Sequence, residues 1–200
     1  MRLLGAALFV SALLSACSSV ALLPAPASTT QTLAAAFSLS GRFSAKTAAE
    51  QVSGQFRYTQ KDVERTLNLF SPLGTPLADI VATRDSAALT QANGTTQTAS
   101  SLSALLRTVI DLPVTDAMIS AWLQGLPSTP EVTAVEGVER DGAGLLRRFV
   151  EAGWSIEISA RMEASPGAAG RAAAPRRMRW SLVGQPDTEV RWAIDQWSAP

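Results

Sequence analysis

Two hundred residues are enough for one domain with a substantial core, and 46% hydrophobic against 17% charged residues is rich for a soluble domain. Seventeen basic and seventeen acidic residues cancel, so nothing points to a nucleic-acid partner. Histidine is absent and Cys17 is the only cysteine, which excludes Ser-His and Cys-His nucleophile pairs, histidine metal sites and internal disulfides.

The chain opens with basic Arg2 and an apolar run from Leu3 to Leu14, too short to cross a bilayer, which needs about 20 residues, but suited to a secretory h-region. It ends in Leu14-Ser15-Ala16-Cys17, which resembles the bacterial lipobox, where the signal peptide is cut before a cysteine that becomes lipid-modified. The expected organisation is a lipoprotein signal peptide at 1–16, a lipidated Cys17 with a flexible tether through 35, and one folded domain at 36–198. Several acyl chains on Cys17 would make a lasting anchor, at ~0.8 kcal/mol per buried CH₂. Ser18 follows; in such lipoproteins an aspartate there resembles an inner-membrane retention signal, so Ser18 points to the outer membrane. The segment to Ala35 is small and polar with Pro24 and Pro26, and has too few large apolar residues to order itself.

From Phe37 the pattern has a period of two. Phe37, Leu39, Gly41, Phe43 and Ala45 alternate with Ser38, Ser40, Arg42 and Ser44, a strand buried on one side. A second strand, Gly54 to Gln60, sets Phe56 and Tyr58 against Arg57. Thr66 to Ala82 reads as strand, turn, strand, with Leu67 and Leu69 on one face. Its turn is Ser71-Pro72-Leu73-Gly74: Pro72 fixes its own φ and Gly74 can take positive φ. Turn tips are normally polar, so Leu73 either folds back onto the core or stands out as an apolar finger for a lipid or a greasy partner. A short strand from Ala87 to Ala92 closes at the Asn93-Gly94 turn.

The period then lengthens. Ser101 or Ser103 can cap a helix that carries Leu102, Leu105, Leu106, Val109 and Ile110 on one face and stops near Leu112-Pro113. A second helix starts at Thr115 or Asp116, carries Met118, Ile119, Trp122 and Leu123, and ends at Gly125. The C-terminal third returns to alternation in three strands, marked by Trp154, Ile156, Ile158, Ala160 and Met162, by Met178, Trp180 and Leu182, and by Val190, Trp192 and Ile194. Arg177 and Arg179 share the solvated face of the middle one, and Gly184 to Asp187 is a turn. The Gly- and Ala-rich stretch Ser165 to Pro175 is expected to be a loop.

These elements predict a mainly β fold with some α, an incomplete antiparallel barrel of about ten or eleven strands covered by short helices. Its inward face could be filled by side chains or left open around a ligand, and periodicity does not distinguish the two. The candidate wall is Phe56, Tyr58, Leu67, Leu69, Ile80, Trp122, Trp154, Ile156, Met178, Trp180 and Trp192. Without histidine, catalysis would fall to a carboxylate pair or a lysine base; a pair such as Asp79 with Glu157, placed on neighbouring strands, would make the protein a periplasmic hydrolase. Another alternative is an anchored structural lipoprotein that binds an envelope protein through its sheet edge or Leu73.

An ordered series of motifs resembles the outer-membrane lipoprotein receptor LolB family. It runs through Phe37-Ser38-Leu39-Ser40-Gly41-Arg42-Phe43, Ser53-Gly54-Gln55-Phe56-Arg57-Tyr58 and Leu69-Phe70-Ser71-Pro72-Leu73-Gly74. It continues through Leu112-Pro113-Val114, Trp122-Leu123-Gln124-Gly125-Leu126-Pro127, Gly153-Trp154, Pro175-Arg176-Arg177 and Ile194-Asp195-Gln196-Trp197. The resemblance implies a non-enzymatic, monomeric receptor without cofactor, lipid-anchored in the outer membrane and facing the periplasm. Its apolar cavity would accept the acyl chains of lipoprotein cargo from the soluble carrier LolA and pass the cargo to the membrane. The family's exposed leucine lies in the Pro-Leu-Gly turn, which implies a membrane-insertion loop of Pro72, Leu73 and Gly74. Three features depart from the family: Tyr58 stands where tryptophan is expected, Ile110-Asp111 stands where Gly-Trp is usual and puts a charge near the lid, and the loop before Pro175 is longer.

Overall fold

The computed structural model describes residues 32–48, 50–129, 135–163 and 173–199. The signal peptide, Cys17, most of the tether and most of the Ser165–Pro175 loop lie outside the described residues.

Among the described residues, eleven strands and two helices follow one another. They are β1 (Ala36–Lys46), β2 (Gln51–Lys61), β3 (Glu64–Phe70), β4 (Pro76–Ala82), β5 (Ala87–Gln91), β6 (Thr96–Ala99), α1 (Leu102–Ile110), α2 (Asp116–Leu123), β7 (Val135–Arg140), β8 (Leu146–Glu151), β9 (Trp154–Arg161), β10 (Pro175–Leu182) and β11 (Glu189–Ser198). All strands join one antiparallel sheet in the order β6-β5-β4-β3-β2-β1-β11-β10-β9-β8-β7, open between its two edge strands. The mainly β, incomplete barrel with short covering helices is the architecture present.

The two terminal strands meet mid-sheet, where Phe43 faces Trp192 and Ala45 faces Val190 across the β1–β11 ladder. Glycine is required on each side of this region. A Cβ on Gly41 would lie 2.1 Å from the Ala193 carbonyl oxygen, and one on Gly54 would lie 2.0 Å from that of Phe70. The bulge beside Gly41 bends the strand, as an inserted residue does, and helps a wide sheet curl around its contents.

Three strands are absent from the alternation-based reading. β6 is only four residues long. β7 is almost wholly exposed and irregularly paired, so no apolar face marks it. β8 reads Leu-Arg-Arg-Phe-Val-Glu and buries its terminal Glu151, which breaks the period-two signature.

Both helices are capped as their sequences allow. The Ser101 side chain accepts from the Ala104 amide at the start of α1, and Thr115 accepts from the Met118 amide at the start of α2. Asp111 is the C-cap of α1 in the left-handed conformation, φ 50°, with its amide bonded to the Arg107 carbonyl. It is exposed, and Asp tolerates this conformation better than most residues, so its charge near the lid is solvated.

Candidate functional site

The cavity is assembled row by row by strand register. One row crosses four strands, Tyr58 on β2 facing Leu67 on β3, Leu67 facing Ile80 on β4, and Ile80 facing Leu89 on β5. The next row toward the mouth sets Phe56 against Leu69 and Leu69 against Ala78. Antiparallel partners on one face stand side by side, so these rows make a continuous apolar wall. Beyond β1 the wall continues through Val190, Trp192 and Trp180.

Helix α1 lies over this wall. Leu102, Leu106, Val109 and Ile110 face the interior, joined by Leu112 from the connection and by Ile119 and Leu123 of α2. Between lid and wall is a cavity of about 490 Å³. That volume is within the range of small-molecule sites, whereas ordinary cores leave few voids larger than a water. Polar groups appear at one end, where Glu50, Gln91 and Asn93 join the lining beside exposed Val52 and Leu77.

The sheet register places this mouth. Lys46 pairs with Gln51, Gln55 with Phe70, and Thr90 with Thr96, so the β1–β2, β3–β4 and β5–β6 turns all sit at the same end. The β3–β4 turn carries Leu73, which is 95% exposed; it does not fold back onto the core. The turn around it is well braced. Gly74, at φ 87°, donates its amide to the Ser71 carbonyl, the Ser71 amide donates to Thr75, and the Gln55 side chain donates to the Pro72 carbonyl. An apolar side chain is thus held in solvent by fixed backbone.

Seven of the expected wall residues line the cavity: Phe56, Tyr58, Leu67, Leu69, Ile80, Trp180 and Trp192. Trp122, Trp154, Ile156 and Met178 do not. They are buried in the filled half of the interior, under α2 and against β8 to β10. An aromatic chain links the two halves: Phe56 packs edge-on to Trp192 at 4.9 Å between centroids, Trp192 lies 5.1 Å from Trp180, and Trp180 lies 5.4 Å edge-on to Trp122. The expected wall omitted Phe43, Leu89 and the lid residues, although the strand alternation and the apolar stripe on α1 were there to mark them.

The filled half is fastened by Glu151. Its carboxylate accepts from the Trp122 indole at 2.6 Å, from the Ser128 amide and hydroxyl, and from the Thr129 amide. Burial works to raise its pKa, but these donors outweigh the desolvation and hold the carboxyl below its ordinary value. The lid has polar ties of its own. Arg65 on β3 pairs with Asp116 of α2 at 3.3 Å, and Asp116 also accepts the Ser103 amide of α1. Gln60 accepts from both the Tyr58 hydroxyl and Ser120 of α2, each at 2.8 Å. Burial pushes the Tyr58 hydroxyl above the ordinary phenol range, so it stays a neutral donor.

The suggested carboxylate pair does not form. Asp79 lies on β4 and Glu157 on β9, with five strands between them in the sheet rather than on neighbouring ones, and each is engaged on the outer face, Asp79 with Asn68 and Glu157 with Arg179.

The profile of the family described as "Outer membrane lipoprotein LolB" matches residues 35–197. The chain belongs to the LolB family. Curated relatives agree along nearly the whole length. An outer-membrane lipoprotein LolB of Cupriavidus pinatubonensis is 32% identical, covering 94% of this chain and 91% of that protein. One from Cupriavidus taiwanensis is 30% identical, covering 93% and 92%. One from Azoarcus sp. is 28% identical, covering 93% and 90%. A solved DUF1329 family protein of Desulfovibrio piger shows only a loose likeness, with a TM-score of 0.47 and 8% identity. In this LolB-family chain the matched region takes in the cavity wall, the lid helices and the Leu73 turn.

Proposed function

We propose that this outer-membrane lipoprotein is a receptor that takes lipoprotein acyl chains from the periplasmic carrier LolA into its cavity and releases the cargo to the outer membrane. The observation that carries the reading is the open apolar cavity of about 490 Å³ with an exposed leucine at the same end. Cys17, modified with acyl chains, would fasten the protein to the membrane, and Pro72, Leu73 and Gly74 would form the loop that meets the lipid. The protein works as a monomer and performs no covalent chemistry.

The physics of transfer is simple. Each CH₂ exposed to water costs about 0.8 kcal/mol, so an acyl chain that slides from one apolar cavity into another avoids most of that barrier. Direction follows from relative affinity, carrier below receptor below bilayer, and needs no nucleotide. The aromatic and aliphatic wall offers area without directional bonds, which suits cargo that shares acyl chains but differs in its protein part. The filled interior expected of a purely structural lipoprotein is not what the β1–β6 half contains.

The test is a soluble Cys17→Ala form incubated with LolA loaded with labelled lipoprotein, after which the two proteins are separated. Label on the receptor is the expected result. Label that stays on a competent carrier, with the receptor demonstrably folded, would overturn the reading.

A further inference from the structure

The tryptophans of the interior fall into two classes. In the filled half each indole N–H is satisfied by the protein: Trp122 donates to Glu151 at 2.6 Å and Trp154 to the Pro113 carbonyl at 3.1 Å. Trp180 and Trp192 line the open cavity instead. Their indole nitrogens are buried, and neither has a hydrogen-bond acceptor among the described residues. A buried indole N–H ordinarily finds a partner. Here two orphaned donors belong to adjacent rings, whose centroids are 5.1 Å apart. An apolar wall needs no donor, and one left unpaired weakens the fold.

Strand register puts both near the mouth. Lys46 pairs with Glu189 at the mouth end, Val190 comes next, opposite Ala45 and Trp180, and Trp192 follows, opposite Phe43. The row through Tyr58, Leu67, Ile80 and Leu89 lies deeper, since Tyr58 faces Leu39, far along β1 from Lys46. Hydrocarbon that reaches this deep row leaves the head of its chain nearer the mouth, where the two tryptophans stand.

The chemistry of the lining selects the acceptor. Among the described lining residues there is no lysine or arginine, the only carboxylate is Glu50 at the mouth, and the Tyr58 hydroxyl is committed to Gln60. A carboxylate drawn in beside the indoles would be buried without a counter-charge, which is costly, whereas a neutral carbonyl loses little. Resting on the reading of the cavity as an acyl-chain site, we infer that Trp180 and Trp192 donate to the ester carbonyls at the heads of the bound acyl chains, so that the cavity prefers acyl esters to bare hydrocarbon. The rest of the wall contributes area without direction; these two N–H groups set how far a chain enters.

The test uses the soluble Cys17→Ala form and two lipids that differ at the linkage, dioctanoylglycerol with ester carbonyls and dioctylglycerol with ethers in their place. The diester should bind roughly tenfold tighter, the scale of one or two neutral hydrogen bonds. In isotope-labelled protein it should move the indole N–H proton resonances of Trp180 and Trp192 downfield, while those of Trp122 and Trp154, already bonded, stay in place. Trp180→Phe and Trp192→Phe should each shrink the ester-to-ether ratio; a role in packing alone would weaken both lipids alike and keep the ratio. Equal affinity of the unsubstituted cavity for the two lipids, or indole resonances that respond no more to the diester than to the diether, would overturn the inference and leave the acyl cavity standing. Binding of neither lipid would overturn the acyl-cavity reading, and the inference with it.

Discussion

The two halves of this interior are built from the same kinds of residue and end up in opposite states. Under β8 to β10 the space is filled by Trp122, Trp154, Phe149 and Ile156, each with essentially no exposure. Under β1 to β6 a wall as apolar encloses an open cavity. What differs is the covering element. α2 buries Trp122 against Trp154 and Trp180 and is tied to the sheet by Arg65, Gln60 and, through Trp122, Glu151. α1 presents partly buried Leu106, Val109 and Ile110, which line the open cavity. A hollow of this kind gives up the contacts its lining would otherwise make, which is tolerable where the other half supplies the stability.

The contrast can be broken from its strongest side first. Trp154→Ala should cost about 3–5 kcal/mol in denaturant unfolding, since it removes a fully buried ring and its hydrogen bond to the Pro113 carbonyl. Glu151→Gln should cost about 2 kcal/mol near neutrality, the scale of hydrogen bonds to a charged group. Because the folded pKa lies below the ordinary 4.5, the carboxylate stabilises the fold above that value, and its contribution drains away as pH falls through the folded pKa. The gap between wild type and Glu151→Gln should therefore close in acid, as unfolding measured from pH 7 downward would show.

On the hollow side, substitutions should separate binding from stability. Ala78→Trp adds a large ring on the row between Leu69 and Gln91, where there is room for it. Stability should change by less than about 1 kcal/mol, while affinity for a fluorescent fatty acyl probe falls about tenfold or more, an energetic difference of about 1.4 kcal/mol. If both halves were equally packed, this variant would instead unfold early. Leu73→Glu should leave the melting temperature unchanged, given its 95% exposure. It should still take up cargo from the carrier but should lose delivery to vesicles, which separates the finger from the cavity.

Much of this was legible in the residues. Alternation identified the inward faces of the long strands, capping serine and threonine marked both helix starts, and the Pro72-Leu73-Gly74 turn singled out an apolar side chain where a polar one is usual. β7 and β8 were not legible, because a strand with a bulged, exposed partner and a buried carboxylate has no periodic signature. Glu151 became intelligible only with its donors in place, since Trp122 and Ser128 lie more than twenty positions away in the chain.

Residue order alone sets which side of each strand is apolar, where the chain turns and which side chain stands at a turn tip, because these are properties of neighbours two to four residues apart. Whether the apolar faces meet or stand apart was decided only in three dimensions. A period of two says which way Leu67 and Trp154 point; it does not say how far away the opposite wall lies, and that distance depends on how the strands bend and on which side chains the covering helices present. Trp154 met Trp122 there, and Leu67 met a void.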